Sequence, residues 1–543
     1  MFKKIFTRKI VATALLLLTA LSTVKAQETY LHYFTQINAS GTFGDYTPYW
    51  FAANRQGLVG LAKENGYIRY GMNVGGTFKN PSFRYNAIAD FAIGHNQNDE
   101  IYIQQLCAEI SWRWLTLSVG SKERFAEGKI DNNMFLGRKV GNNVVNTLFP
   151  NLYYNYLTSL GTGGLMYSGN SRPIPQVRLE IPEFTPFIGT NKWLHIKAHI
   201  AYGRFTDDEY QKRFTEKMPS ARYGENILYH SKSGFIRIGR RDKFPLEFEG
   251  GLEMYSQFGG ETYRHSGNGT PYNTMPHGFM DYIKAFIPLS GGKDTPLDEQ
   301  SNISGNQIGS WHAAFNIYTK PLDIRLYGEH LFEDFSQLFF FEYQMNNEGV
   351  RRTLVYPWRD ILLGISIKNK SNILPFINTL QYEYVSTYDQ SGALYHDPSN
   401  NFNDQMDGMD NYYNHGLYPG WHHWGMGIGN PLVFSPAYNS SGDLQFRGNR
   451  LIAHHVGVTG SFEKVPFAYR LLYTYSENWG TYHNPFDKKC YTTSLLGEIT
   501  FAPDNSPWLC SLSLGYDKSN FIGENLGAML TITHVGTFFS SKK

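Results

Sequence analysis

The chain alternates apolar and polar residues over long stretches. In WLHIKAHIAY, Leu194, Ile196, Ala198, Ile200 and Tyr202 share one face of an extended backbone, while His195, Lys197 and His199 take the other. PLEFEGGLEMYSQF sets Leu246, Phe248, Leu252, Met254 and Phe258 against Glu247, Glu249, Glu253 and Gln257. In PFAYRLLYTYS, Phe467, Tyr469, Leu471, Tyr473 and Tyr475 oppose Arg470, Thr474 and Ser476. FRYNAIADFAIG opposes Arg84, Asn86 and Asp90 to Tyr85, Ala87, Ala89, Phe91 and Ile93. Successive side chains of a strand point to opposite faces, so a period of two sustained this long predicts strands and not helices.

The same reading predicts strands at Gly66–Phe78, Ile101–Trp112, Leu115–Gly120, Gln176–Ile181, Phe235–Arg240, Trp311–Tyr318 and Leu322–Glu333. Toward the C-terminus it adds Ile361–Lys368, Asn378–Thr387, Leu451–Phe462, Tyr491–Phe501, Trp508–Asp517 and Leu526–Phe539, for 17 in all. A soluble β-sandwich also alternates. Here, however, the apolar faces end in Tyr and Phe, as membrane-interface girdles do, and the chain closes near Phe538-Phe539, with Ser540-Ser541-Lys542-Lys543 following. The expected fold is therefore all-β, a transmembrane antiparallel β-barrel. Bacterial barrels of this kind close with an even strand number, so 16–18 strands are expected, with 18 favoured. Long Gly/Asn/Asp-rich stretches at Ser121–Asn170, Thr206–Ser233, Gly259–Gly309 and Tyr388–Asn449 read as extracellular loops. Residues 27–65 form an N-terminal segment, a leading strand or a periplasmic cap, ahead of a barrel at 66–543.

The first 26 residues read as a secretory signal: Lys3, Lys4, Arg8 and Lys9, an apolar run from Ile10 to Leu21, and Val24-Lys25-Ala26 as the cleavage site. The run is too short to span a bilayer as a helix. Losing the five basic residues of this segment takes the formal charge from +2 to −3, which gives no electrostatic case for nucleic acid. Tyr (38), Phe (38) and Gly (53) are abundant and the mean hydropathy is −0.39, too polar for a helical membrane protein. Cys107, Cys490 and Cys510 have no zinc spacing and cannot form a disulfide framework, although Cys490 and Cys510 could pair.

Candidate chemistry centres on LYPGWHHWGMGIGNPLVFSP, Leu417 to Pro436. GMGIGNP lacks the third glycine spacing of a dinucleotide fingerprint, and Pro431 obstructs the helix that must follow it. His422 and His423 are adjacent and cannot chelate as an i, i+4 pair; a folded loop could bring either to His415 or Asp410, but packing between Trp421 and Trp424 is the simpler reading. Gly425, Gly427 and Gly429 are read as permitting tight turns, with Asn430-Pro431 closing them. On the predicted inner face, Lys197, Arg237, Arg325 and Arg470 balance Glu247, Glu249, Glu253, Glu329 and Glu383. Two carboxyls at 5 to 10 Å could cleave glycosides, but a salt-bridge ladder in a wet lumen is the better reading. No GxSxG or HExxH occurs. No enzyme activity, catalytic residue, metal or cofactor is implied.

SGNSRPIPQVRLEIP resembles the N-A-R-P-x-P core of the Wzi family of outer-membrane capsule assembly proteins, through Asn170, Arg172, Pro173 and Pro175, with Ser171 where alanine is usual. TPYWFAANRQGLVGL, GNQIGSWHAAFNIY and YGEHLFEDFS agree in order, and Gly425, Ile428, Gly429, Asn430, Pro431 and Leu432 match a G-x-x-I-G-N/H-P-L loop. The resemblance implies an 18-stranded barrel that retains capsular polysaccharide at the cell surface, lectin-like and without turnover. The family's small periplasmic helical bundle has no full equivalent in this chain. Aromatic faces stack on sugar C–H surfaces while carboxylates and amides read hydroxyls. The Tyr388–Asn449 loop offers Tyr412, Tyr413, Tyr418, Trp421, His422 and Trp424 with Asp407, Asp410 and Asn414 for this purpose. The competing use of such aromatics is the loop's own core. The expected partners are a surface polysaccharide and outer-membrane lipid or lipopolysaccharide, not nucleic acid, with a monomer the expected state. The alternative function is a porin-like channel for oligosaccharides or ions.

Overall fold

The structure, a computed structural model, describes residues 26–126, 143–149, 152, 160–289, 291, 303–333, 342–346, 349–353, 359–371, 376–390, 410–462 and 465–542. Eighteen antiparallel strands pair in sequence order and close into a barrel. The first nine are β1 (Ala26–Tyr46), β2 (Ala62–Phe78), β3 (Phe83–His95), β4 (Ile101–Trp112), β5 (Leu115–Ser121), β6 (Gln176–Pro186), β7 (Leu194–Arg204), β8 (Leu228–Gly239) and β9 (Leu246–Phe258). The rest are β10 (Asn306–Tyr318), β11 (Leu322–Glu333), β12 (Ile361–Asn369), β13 (Thr379–Ser386), β14 (Leu451–Ser461), β15 (Phe467–Gly480), β16 (Pro485–Phe501), β17 (Trp508–Ser519) and β18 (Gly523–Lys542). Pairing of β1 with β18, from Glu28↔Lys542 to Phe43↔Leu526, seals the wall. The expected 18-stranded closed barrel is thus the observed fold.

Polarity is inverted relative to a soluble protein. Ile37, Ile68, Val119, Val177, Ile238, Phe315, Leu363, Ile499 and Leu514 are exposed on the outside, whereas inward-facing Gln36, Asp90, Ser118, Glu253, Asn316, Glu383, His455 and Ser513 are buried. An apolar belt around a closed sheet satisfies every backbone group within the wall and offers lipid an apolar face, as a bilayer demands.

Short turns join β2 to β3, β4 to β5 and β10 to β11, at the end where the described chain begins and ends. The long connections all leave the opposite, extracellular end. The leading strand of the N-terminal segment is β1. Residues 47–61 follow it at the long-loop end. The signal segment, but for Ala26, lies outside the described residues. All three cysteines are free thiols, so Cys490 and Cys510 do not pair.

Candidate functional site

Three loop stretches enter the barrel and pack on one another: 47–61, 160–175 and 410–450. The first carries a short helix α1 (Tyr49–Ala52), whose four residues are all buried. Tyr49 N donates to Asp517 on β17 at 2.8 Å, and the Trp50 indole donates to Thr474 on β15 at 3.1 Å. Arg55 pairs with Glu498 at 3.0 Å, and Arg470 holds the other oxygen of that carboxylate at 3.0 Å.

The second stretch belongs to the β5–β6 connection, which crosses the lumen. Asn143 donates to the carbonyls of Pro503 and Trp508, at the short-turn end, and accepts from Val145 N to cap α2 (Val144–Leu148). Val145, Phe149 and Leu152 then bury against inward-facing Phe34, Ala468, Leu509 and Val535. From residue 160 the chain climbs back toward β6. Glu383 accepts from both the amide and the hydroxyl of Thr162, each at 2.6 Å, and Glu329 accepts from Leu165 N at 2.7 Å.

The motifs singled out in the sequence meet here. Asn170 donates to Gly427 O at 3.0 Å and accepts from Asn54 N at 3.3 Å, linking all three stretches. Ser168 donates through its amide to Ile428 O (2.8 Å) and through its hydroxyl to Gly429 O (2.7 Å). Asn430 donates through its side-chain amide to Thr162 Oγ1 and Gly163 O, and its side-chain Oδ1 accepts from Leu432 N. Pro173 and Pro431 are buried, and Pro175 accepts from Arg204 N at 3.2 Å.

His422–His423 pairs with Met426–Gly427 as a two-residue hairpin. Trp424 (φ 55°) and Gly425 (φ 76°) occupy its turn, both left-handed, the geometry of a type I′ turn. Gly425 is therefore a turn glycine, as expected. Gly427 and Gly429 are not: neither has positive φ, and a Cβ at Gly429 would come within 2.6 Å of Leu165 O and the Tyr413 ring. They serve close packing.

The candidate sugar-stacking residues are placed mostly inside. Tyr412, Tyr413, Tyr418, Trp421 and His422 are at most 1% exposed. Trp421 stacks on Tyr229 (12° between rings) and donates to Met166 O; Tyr412 donates to Asp360; Tyr413 donates to Leu165 O. Asn414 bonds Phe446 through both backbone groups. These rings offer no free face, so in this conformation they form the loop's core, the competing reading. Trp424 is half-buried and stays at the rim, Asp410 is half-buried, and Asp407 lies outside the described residues. Burial depresses the pKa of both His422 and His423 to about 4, keeping them neutral, and raises that of Asp207, whose carboxylate lies 3.8 Å from His422 Nδ1.

The inner-wall charges form the expected ladder. Glu249 binds Arg237 (2.8 Å) and Arg325 (2.7 Å), while Glu247 accepts from the Tyr318 hydroxyl. Glu247, Glu249, Glu253, Arg325 and Arg470 are buried; Arg237 and Lys197 are half-buried, with Lys197 over the Phe235 ring at 5.9 Å. Among the described residues one grouping has metal-ligand character, Glu253, His312 and Glu329, with ligand atoms within 4.8 Å of one another. Its members are engaged already: Glu253 meets His312 at 3.1 Å and accepts from Tyr255, and Glu329 holds Leu165 N. The sequence signal for Glu329, Glu383 and Glu498 was inward parity alone; that they hold a plug required the contacts.

Aromatic–cation pairs remain at the extracellular rim. Arg172 lies 3.7 Å from the Tyr102 ring centroid and 4.6 Å from that of Trp424. Arg450 sits over Tyr482 (3.8 Å) and Tyr388 (4.6 Å), and Arg264 over Tyr272 (3.8 Å), which is 49% exposed. The Arg450 and Arg264 pairs, half-buried, each join a π-face to a guanidinium whose donors suit hydroxyl or carboxylate oxygens, whereas Arg172 and Tyr102 are each only 5% exposed and are closed to a ligand.

No family model matches the sequence, and no curated protein does. Solved structures are similar at low identity. Wzi, an outer-membrane protein involved in group 1 capsule assembly in Escherichia coli and described as a carbohydrate-binding β-barrel, aligns with a TM-score of 0.49 and 11% identity over 95% of this chain and 86% of that one. OccK5 of Pseudomonas aeruginosa aligns at 0.43 and 8%, over 95% and 100% of the two chains. OprD from Pseudomonas aeruginosa aligns at 0.45 and 9%, over 95% and 96%.

Proposed function

We propose that this protein is an outer-membrane barrel that binds and retains capsular polysaccharide at the cell surface, without catalysis. The observation that carries the reading is the use made of the inner wall. Glu329, Glu383, Glu498, Asp517 and Thr474 each hold a loop segment, and inward-facing side chains are buried where a water-filled channel would leave them wet. With the lumen occupied, recognition falls to the rim, where Trp424, Tyr272, Tyr388 and Tyr482 accompany Arg264 and Arg450. The motif resemblance supplies the ligand class. The expected signal segment at residues 1–26 supplies the export route.

Deleting the gene and staining cell-associated capsule tests this. The proposal expects polymer to be shed into the medium; undiminished retention overturns it. A channel is the second reading, favoured by half-buried Lys197 and Arg237 on the inner wall.

A further inference from the structure

The outer wall carries a feature that glycan retention does not use. Helix α3 (Asp208–Thr215) lies in the β7–β8 connection, and α4 (Phe279–Phe286) lies in the β9–β10 connection. Helix α4 rests against the outside of the barrel. Lys232 shares its strand face with Ile236 and Ile238, exposed at 42% and 47%, so it points outward. Its ammonium donates to Ala285 O (3.2 Å) and Phe286 O (2.5 Å). Tyr202 and Gln307 also face outward, the first cross-strand from His230 and the second from Ser256. The Tyr202 hydroxyl donates to Tyr282 O at 2.9 Å, and the Gln307 amide to Lys284 O at 3.0 Å.

Three wall side chains therefore bond four helix carbonyls, three of which (Lys284, Ala285 and Phe286) lie in the last turn and have no partner within the helix. In water the carbonyls of a last turn need no such partners, because solvent supplies them. In lipid no water is at hand to bond them, so the protein itself must supply the donors. The helix turns the opposite character outward: Phe279, Met280 and Phe286 are exposed, followed by Ile287 and Leu289. Its outer surface continues the lipid-facing belt over a patch where the wall itself is polar.

Below the C-terminal end of α4 the wall is hollow. Ala198 and Gly234, directly opposite one another, form the floor of a groove of about 640 Å³. Leu179, Ile200 and Met254 line it, and Phe286 overhangs it. A Cβ at Gly234 would touch nothing within 4 Å. The volume falls in the range of roughly 300–1,000 Å³ typical of small-molecule pockets. The groove opens onto the apolar belt at Leu179, which is exposed.

We propose that α4 is a lid clasped to the outer wall and that the groove beneath it holds one acyl chain of an outer-leaflet lipid. The test uses full-length protein in phosphatidylcholine vesicles containing a phosphatidylcholine with a diazirine on its acyl chain, with cross-links mapped by mass spectrometry. Cross-links are expected several-fold more often at Leu179, Ile200, Met254 and Phe286 than at belt positions such as Ile238 and Phe315. Gly234→Phe, which fills the hollow, lowers them to the belt level, and Ala198→Leu serves the same end if that variant does not fold. Uniform labelling around the belt, or groove labelling unchanged in the filled variant, overturns the proposal.

Discussion

The indole nitrogen of Trp421 donates to the carbonyl of Met166 at 2.9 Å, across 255 residues of sequence, and so joins the 410–450 loop to the segment that crosses the lumen. Trp421 is 0% exposed. Trp421→Ala removes both the ring and the bond, and loss of a buried Trp costs about 3–5 kcal/mol. Trp421→Phe keeps an aromatic body but orphans the Met166 carbonyl, at about 1–3 kcal/mol. Limited proteolysis of folded protein should cut the loops faster in the order Ala, Phe, wild type, while the barrel core survives.

Glu498 anchors the plug through two guanidiniums, Arg55 and Arg470, and also accepts from Ser513 at 2.8 Å. Glu498→Gln leaves two buried cations short of their counter-ion, a loss of about 3–5 kcal/mol for a buried pair. Arg55→Met leaves Glu498 with Arg470 and Ser513, so its effect is smaller. Urea titration of the heat-modifiable gel shift should rank Glu498→Gln well below Arg55→Met.

Acid should loosen the plug. Burial depresses His422 and His423 to about 4, against 6.5 for a free imidazole. Between those values the released loop binds protons that the packed loop refuses, so stability falls as pH drops through that window. It is full above about pH 7 and loses nothing further from these groups below about pH 4. Asp207, raised by burial, works in the opposite sense and softens the loss. Hydrogen exchange of the Trp421–Gly429 amides, followed from pH 7 to pH 4.5 after correction for intrinsic rates, should show falling protection.

The outer face makes a separate prediction. Ile236 is outward and 42% exposed. Ile236→Lys places a cation in lipid and should cost about 2–4 kcal/mol near the bilayer midplane. Lys232 on the same face is tolerated because α4 covers it, so Lys232→Met should release the helix rather than unfold the barrel. Refolding titrations into vesicles distinguish the two.

Alternation made 17 strands legible; the one it left open, as a leading strand or a cap, was β1. There Phe34, Gln36 and Asn38 are buried on the inner face, and Phe34 meets Phe149 of the plug at 5.0 Å, so the inner face is not uniformly polar. The start of β8 was hidden for the complementary reason. His230 and Lys232 sit on its outer face, and a lipid-facing strand should not carry them unless a helix covers them. The aromatic loop was legible as a loop with a possible core. Its position inside the barrel was not, because Asn170 meeting Gly427, or Glu383 meeting Thr162, is a long-range contact that no local period encodes.

Conductance of purified protein in a planar bilayer tests the central claim most directly. An occupied lumen predicts a flat baseline for wild type, with only brief flickers, and steps appearing in Trp421→Ala as the plug loosens. Stable, long-lived open steps in the wild-type protein would contradict the account and favour the channel.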